Sequence, residues 1–134
     1  MSEAGGENLV ANVIVDSGSG YAQTIRAGHH RLSADEPTTN GGADRGPAPY
    51  CLLLAALGAC TSITLQMYAA RKGWDLGAVQ VVVRMVREGG VERIERDLRF
   101  GAPLTDEQRV RLSEIAEKTP VTRTLRAGVA ITPG

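Results

Sequence analysis

The chain is poor in the residues that most often advertise a function. It has two cysteines among 134 residues, Cys51 and Cys60, too few for a disulfide scaffold. Its two histidines, His29 and His30, are adjacent, so on a strand they point to opposite faces and cannot share one metal. Each is read as a surface or turn residue. No Cys or His spacing suits zinc, so no metal is expected. Fifteen basic and fifteen acidic residues cancel, leaving no basic surplus for phosphates and no expectation of a nucleic-acid partner. A phosphate loop, a G-x-G-x-x-G turn and the nucleophile-and-base arrangements of serine hydrolases are all missing, and no cofactor is expected. The opening "MSEAGGEN" lacks a signal-peptide pattern. With so few cysteines, a reduced cytoplasmic setting is the expectation.

Charge is also absent over one long run. Between Arg45 and Arg71 lie 25 residues without a charge, enough to span a bilayer. Pro47 and Pro49 open the run, and Thr61, Ser62, Thr64 and Gln66 interrupt its second half, so it reads as a buried helix of a soluble protein, not a membrane segment. Pro49 suits a first helical turn, and Gly73 is placed to end the helix after about Lys72. Twenty-four residues span roughly 36 Å, which is also about the diameter of a compact domain of this size. The first half, from Leu52, Leu53 and Leu54 to Leu57, is apolar on every side and calls for cover on all faces. One sheet covers one side only; a second copy of the chain is expected on the other.

What remains is punctuated by glycine and proline. After a loose segment over 1–8, "LVANVIVD" (9–16), "YAQTIRA" (21–27) and "HRLSAD" (30–35) read as three strands. Their short turns allow only an antiparallel meander. "EPTTNGGADRGPA" (36–48) is a long loop of the kind that is functional or mobile. Beyond the helix, "LGAVQVVVRMVRE" and "VERIERDLRFG" form a hairpin about Gly89 and Gly90. Val79, Val81, Val83 and Met85 share one face, as do Ile94, Leu98 and Phe100. Arg96 falls on the latter face and is read as a snorkelling stem, not a site residue. "TDEQ" is a capping box opening a second helix with Val110, Leu112, Ile115 and Ala116 on its apolar stripe. Pro120 closes that helix, and "AGVAIT" (127–132) reads as a last strand. The expectation is one α+β domain over 1–134, ordered β-β-β-α-β-β-α-β.

Cys60, in "LLLAALGACTS", is the residue left to carry chemistry. A cysteine amid leucine and alanine is commonly a packing residue. Here Gly58 and Ala59 leave room beside the sulfur, and Thr61, Ser62 and Thr64 supply hydroxyls nearby, which would suit a reactive thiol. Both readings stand on the residues alone.

The segments "HRLSADEP", "GPAPYCLLLAALGACTSITLQMYAARKGW" and "EKTPVTRTL" resemble the OsmC/Ohr superfamily of osmotically inducible and organic hydroperoxide resistance proteins. The resemblance implies an intertwined homodimer, with two long helices back to back between two sheets and two sites at the subunit interface. It makes Cys60 the peroxidatic thiolate, which attacks a hydroperoxide, releases an alcohol and becomes a sulfenic acid. It also implies an arginine beside the sulfur. Arg31 is the first candidate, Arg123 the second and Arg45 the third. Tyr50, Leu57, Thr61 and Thr119 become candidate substrate contacts.

Two departures qualify that likeness. The family's second cysteine falls at Thr119, which cannot form a disulfide. The glutamate that many members carry at the start of the long helix falls at Tyr50 and Cys51. Cys51 cannot replace the missing thiol within one helix: nine residues rise about 13 Å, whereas a disulfide needs Cα atoms within about 7 Å. It is read as helix-start packing, with a bridge to a partner subunit as the alternative. The implied function is therefore a one-cysteine hydroperoxide reductase served by an external thiol reductant. The alternative is a protein of the same fold that holds a small apolar ligand at the dimer interface.

Overall fold

Strand-forming residues and tight turns build the first part of the chain, as described by a computed structural model covering residues 6–134. The expected loose segment over 1–8 lies largely outside the described residues. The chain divides into two compact units, Met1–Leu52 and Leu53–Gly134.

In the first unit, β1 (Ile14–Ser17), β2 (Gln23–Ala27) and β3 (His30–Ala34) form the expected antiparallel meander in the order β1-β2-β3. Val15, Ile25 and Leu32 stand in one row across it. The first strand is shorter than the alternation over 9–16 suggests. β2 offers only five residues to pair with, so Leu9 and Val10 extend past the ladder and are exposed.

The loop over 36–48 is tied down from its first residue. Asp35 is buried, and its carboxylate accepts the Glu36 N–H at 2.7 Å and the Arg45 N–H at 3.1 Å. Its own N–H donates to the Pro47 carbonyl, so both ends of the loop meet at one residue. A single 3-10 turn, Thr38–Asn40, lies between. Gly42 is required by close approach: a Cβ there would sit 1.9 Å from the Glu36 carbonyl oxygen.

Helix α1 runs over Pro49–Lys72, the bounds the sequence suggests, and its first turn belongs to the first unit. Gly73, at a φ of +71°, donates to the Ala70 carbonyl while the Trp74 N–H reaches Ala69, the paired bonds of a Schellman ending. Only Leu57, Thr61, Leu65 and Ala69 of α1 are buried, a stripe repeating every fourth residue. Just 17% of its most apolar 18-residue stretch is covered, and Ile63 and Met67 face solvent. By length and composition this one helix could also cross a bilayer.

The second unit packs a hairpin and two helices on that stripe. β4 (Val79–Glu88) and β5 (Val91–Phe100) pair antiparallel about Gly89 and Gly90, both at positive φ. Val81 faces Leu98 and Met85 faces Ile94, as the alternation anticipates. Helix α2 (Asp106–Ala116) starts from a complete capping box of Thr105 and Gln108. The core gathers Leu65, Ala69, Leu76, Leu112 and Ala116, with Trp74 and Phe100 against it.

The chain's last part differs from expectation. Pro120 does not merely close α2; it opens a third helix, α3 (Pro120–Ala127), and the expected strand over 127–132 does not form. Thr119 is the N-cap of α3 and Pro120 its first residue, a start signal stronger than the β-branched run "VTRT". Val129 and Ile131 are exposed. The described chain is a mixed α+β fold of two sheets and three helices.

Candidate functional site

The buried stripe of α1 carries one polar residue, Thr61, and the middle of the inward face of β5, between Ile94 and Leu98, carries the charge of Arg96. Each would be costly alone in an apolar layer. They meet. The Arg96 guanidinium donates from one terminal nitrogen to Thr61 Oγ1 and to Thr122 Oγ1, both at 2.9 Å. The other terminal nitrogen donates to the Ala116 carbonyl at 2.9 Å and to Glu117 Oε2 at 3.2 Å. Four of its five N–H groups are engaged, and its side chain is 11% exposed.

The hydroxyls around it are arranged without a spare hydrogen. Thr61 donates to the Leu57 carbonyl at 2.7 Å, which leaves its lone pairs for Arg96. Thr122 lies 3.3 Å from the Ala116 carbonyl and 2.7 Å from Thr119 Oγ1. If Thr119 donates to Thr122 and Thr122 donates to Ala116, every proton has one acceptor. Ala116 ends α2, so the cation and a hydroxyl meet a carbonyl that lacks a helical partner. Glu117 closes the cluster by pairing with both Arg96 and Arg126. The bond from Arg126, more than any other influence, holds the Glu117 carboxyl below its ordinary range.

Arg96 also contributes to a cleft of about 450 Å³. Leu57, Met85, Ile94 and Leu125 give it apolar walls. Arg93 and Arg126, both well exposed, stand at its margin.

The sequence-derived candidates fall at several places. Cys60 is a half-buried free thiol on α1, directly before Thr61. Leu57 lines the cleft, and Thr61 is bound by Arg96. Thr119 is fully buried; it caps α3 by accepting the Thr122 N–H at 3.3 Å. Arg123 is exposed on α3, and its backbone N–H closes the first turn onto Thr119. Tyr50, Arg31 and Arg45 belong to the first unit, all exposed: Tyr50 in the first turn of α1, Arg31 on β3 opposite Arg26, Arg45 in the loop. Cys51 is exposed and free. Among the described residues no cluster of three or more His, Cys, Asp or Glu side chains could hold a metal ion.

Arg96 corrects the expectation of a snorkelling stem. Its head is turned inward and bound on both sides. Two pattern breaks carried the signal: a hydroxyl in an apolar stripe of α1, and a cation on an apolar face of β5. Taken one at a time, each looks like tolerance; taken together, they satisfy each other.

Comparison with known proteins agrees with this architecture. No curated protein matches the chain. Among solved structures, an OsmC-like protein from Mycoplasma pneumoniae is similar at a TM-score of 0.77 and 16% identity, covering 90% of this chain and 89% of that one. The organic hydroperoxide resistance protein OhrB of Bacillus subtilis aligns at a TM-score of 0.61 and 21% identity, covering 90% of this chain and 93% of its own. An organic hydroperoxide resistance protein OsmC from Legionella pneumophila aligns at 0.63 and 17% identity, covering 89% and 92%. At these identities the likeness is one of fold. The OsmC-like protein family model matches residues 41–133, which include the long helix, Cys60 and the Arg96 cluster, and on that match the chain belongs to the OsmC-like family.

Proposed function

We propose that this protein reduces organic hydroperoxides through Cys60, as a single-domain, cytoplasmic, homodimeric OsmC-like protein. The observation that carries the reading is a half-buried free thiol on the long helix, with the next residue held by a largely covered arginine. Two solved structures of the same fold are named as organic hydroperoxide resistance proteins, which supports the substrate class.

The chemistry balances with an external thiol. The Cys60 thiolate attacks the terminal oxygen of ROOH; the S–O bond forms, the O–O bond breaks, and the departing alkoxide takes a proton to leave as ROH. The sulfenic acid then condenses with one thiol, forming a mixed disulfide and water. A second thiol releases reduced Cys60 and an external disulfide. Thr119, which takes the place of the family's second cysteine, offers no sulfur for an internal step. Arg31 and Arg123 remain the proposed partners of the thiolate, in that order, and Tyr50 and Leu57 the proposed substrate contacts; Thr61 and Thr119 are fully buried and serve the Arg96 cluster instead.

The uncovered faces of α1 support the dimer. With Leu53, Ile63 and Met67 exposed on one helix, a second copy is a better cover than water. The test of the whole reading is direct. Incubation with cumene hydroperoxide should consume the peroxide and give sulfenic acid on Cys60 by mass spectrometry. Cys60→Ser should lose both. Equal consumption by Cys60→Ser would end the proposal.

One observation favours a second reading, an apolar-ligand binding protein. The cleft beside Leu57 has apolar walls and room for a small molecule. A co-purified apolar compound in the native mass spectrum, retained in Cys60→Ala, would select it.

A further inference from the structure

We propose that Arg96 is a positioning residue for Cys60: it fixes the turn of α1 that carries the sulfur by clamping Thr61 to the junction of α2 and α3. This rests on the reading of Cys60 as the reacting group. The clamp is a geometric fact of the second unit. One nitrogen bridges a hydroxyl of α1 to a hydroxyl of α3, and the other bridges the end of α2 to Glu117. Four elements are thereby joined through one side chain.

Packing alone does not call for an arginine here. Leu57, Leu65 and Ala69 fill the rest of the stripe with hydrocarbon, and an apolar pair at 61 and 96 would avoid desolvating a guanidinium. The chain instead keeps a largely covered cation bonded to the residue that follows the cysteine. Thr61 adds to the point. Its hydroxyl bonds the Leu57 carbonyl four residues back, a contact that loosens a helix locally, and the Arg96 bond holds that rotamer in place. Arg96 and Arg126 share the single carboxylate of Glu117, so the cluster keeps one positive charge in excess.

Thr119 gains a role on the same grounds. The position that would hold a second cysteine is fully buried and hydrogen-bonded to Thr122, which in turn receives Arg96. In this chain it supports the clamp.

The test compares two reactions of the same sulfur. Alkylation by iodoacetamide needs only access, whereas reaction with cumene hydroperoxide needs alignment as well. Thr61→Val, nearly the same shape, should keep its fold by circular dichroism. It should slow the hydroperoxide reaction by about tenfold or more while changing alkylation far less. Thr61→Ser, which restores the hydroxyl, should recover to within about threefold of wild type. Arg96→Lys should fall with Thr61→Val, and the double variant should be no slower than the worse single one, because both act on the bond that Arg96 and Thr61 share. Equal losses in both reactions would mean a role in folding or access only and would overturn the proposal. So would full hydroperoxide activity in Thr61→Val. Hydroperoxide consumption that persists in Cys60→Ser would instead remove the parent reading, and the clamp's catalytic meaning with it.

Discussion

Each of the two compact units holds a charged side chain largely away from water, Asp35 in the first and Arg96 in the second, and they satisfy it by opposite means. In the first, the Asp35 carboxylate is held by backbone N–H groups from residues 36 and 45, one and ten positions along the same loop. In the second, Arg96 is held by groups 20 to 35 residues away, on three different helices. One charge organises a loop and the other organises a tertiary junction. A local cluster can open without disturbing the rest, whereas a junction of this kind should fail only when the unit itself unfolds.

The sharpest way to break that comparison is to remove the arginine. Arg96→Met keeps the apolar stem but takes a charged donor away from Thr61, Thr122, the Ala116 carbonyl and Glu117 at once. We expect a loss of about 2–4 kcal/mol in global stability. Trp74 is the only tryptophan and packs on the core of the second unit, so its fluorescence during urea unfolding reports the change. Protomer concentration must be held constant, since any association would add to apparent stability. A loss below about 0.5 kcal/mol, the usual scale of surface substitutions, would show that the cluster does not organise the unit.

The same contrast explains how much was legible in the sequence. Features written in adjacent residues were readable: the bounds of α1, its glycine ending, the hairpin about Gly89 and Gly90, and the capping box at Thr105 all match. Cys60 stood out because only two thiols exist. The Arg96 cluster was not readable because its members come from four separate elements. Helix α3 was lost to a competition between local signals, a cap and proline against a β-branched run, that the buried position of Thr122 resolves. The tie between Asp35 and Arg45 also escaped, since a loop dense in glycine and proline suggests freedom and only the coordinates place its carboxylate inside.

The loop offers the second test, with a local effect. The Arg45 N–H, ahead of the other groups, holds the Asp35 carboxyl below its usual range. A carboxylate depressed in the folded state stabilises fully above its unfolded value, about 3.9, and that contribution is lost as pH falls from there through the lowered folded value. The protection factor of the Arg45 amide against hydrogen exchange should therefore drop in that acid window. Amides of the α1 core should hold their protection over the same range. Asp35→Asn should show weak protection at Arg45 at every pH, with no step. If wild-type Arg45 keeps its protection well below that window, Asp35 is not what ties the loop.

The smallest effect belongs to Arg126, and it separates burial from pairing as the cause of importance. Arg126 pairs with the same Glu117 that Arg96 contacts, yet its side chain is 62% exposed where that of Arg96 is 11%. An exposed ion pair is worth about 0–1 kcal/mol and is screened by salt. Arg126→Ala should accordingly cost less than about 1 kcal/mol, with the difference fading at about 1 M salt. The Glu117 carboxyl, freed of its main cation, should titrate closer to its ordinary range by NMR. Because the folded value then approaches the unfolded one, the variant should lose less stability than wild type as pH falls through the carboxylate range. An Arg126→Ala loss as large as that of Arg96→Met would mean that charge pairing with Glu117, and not the buried bonds to Thr61, Thr122 and Ala116, holds the junction together.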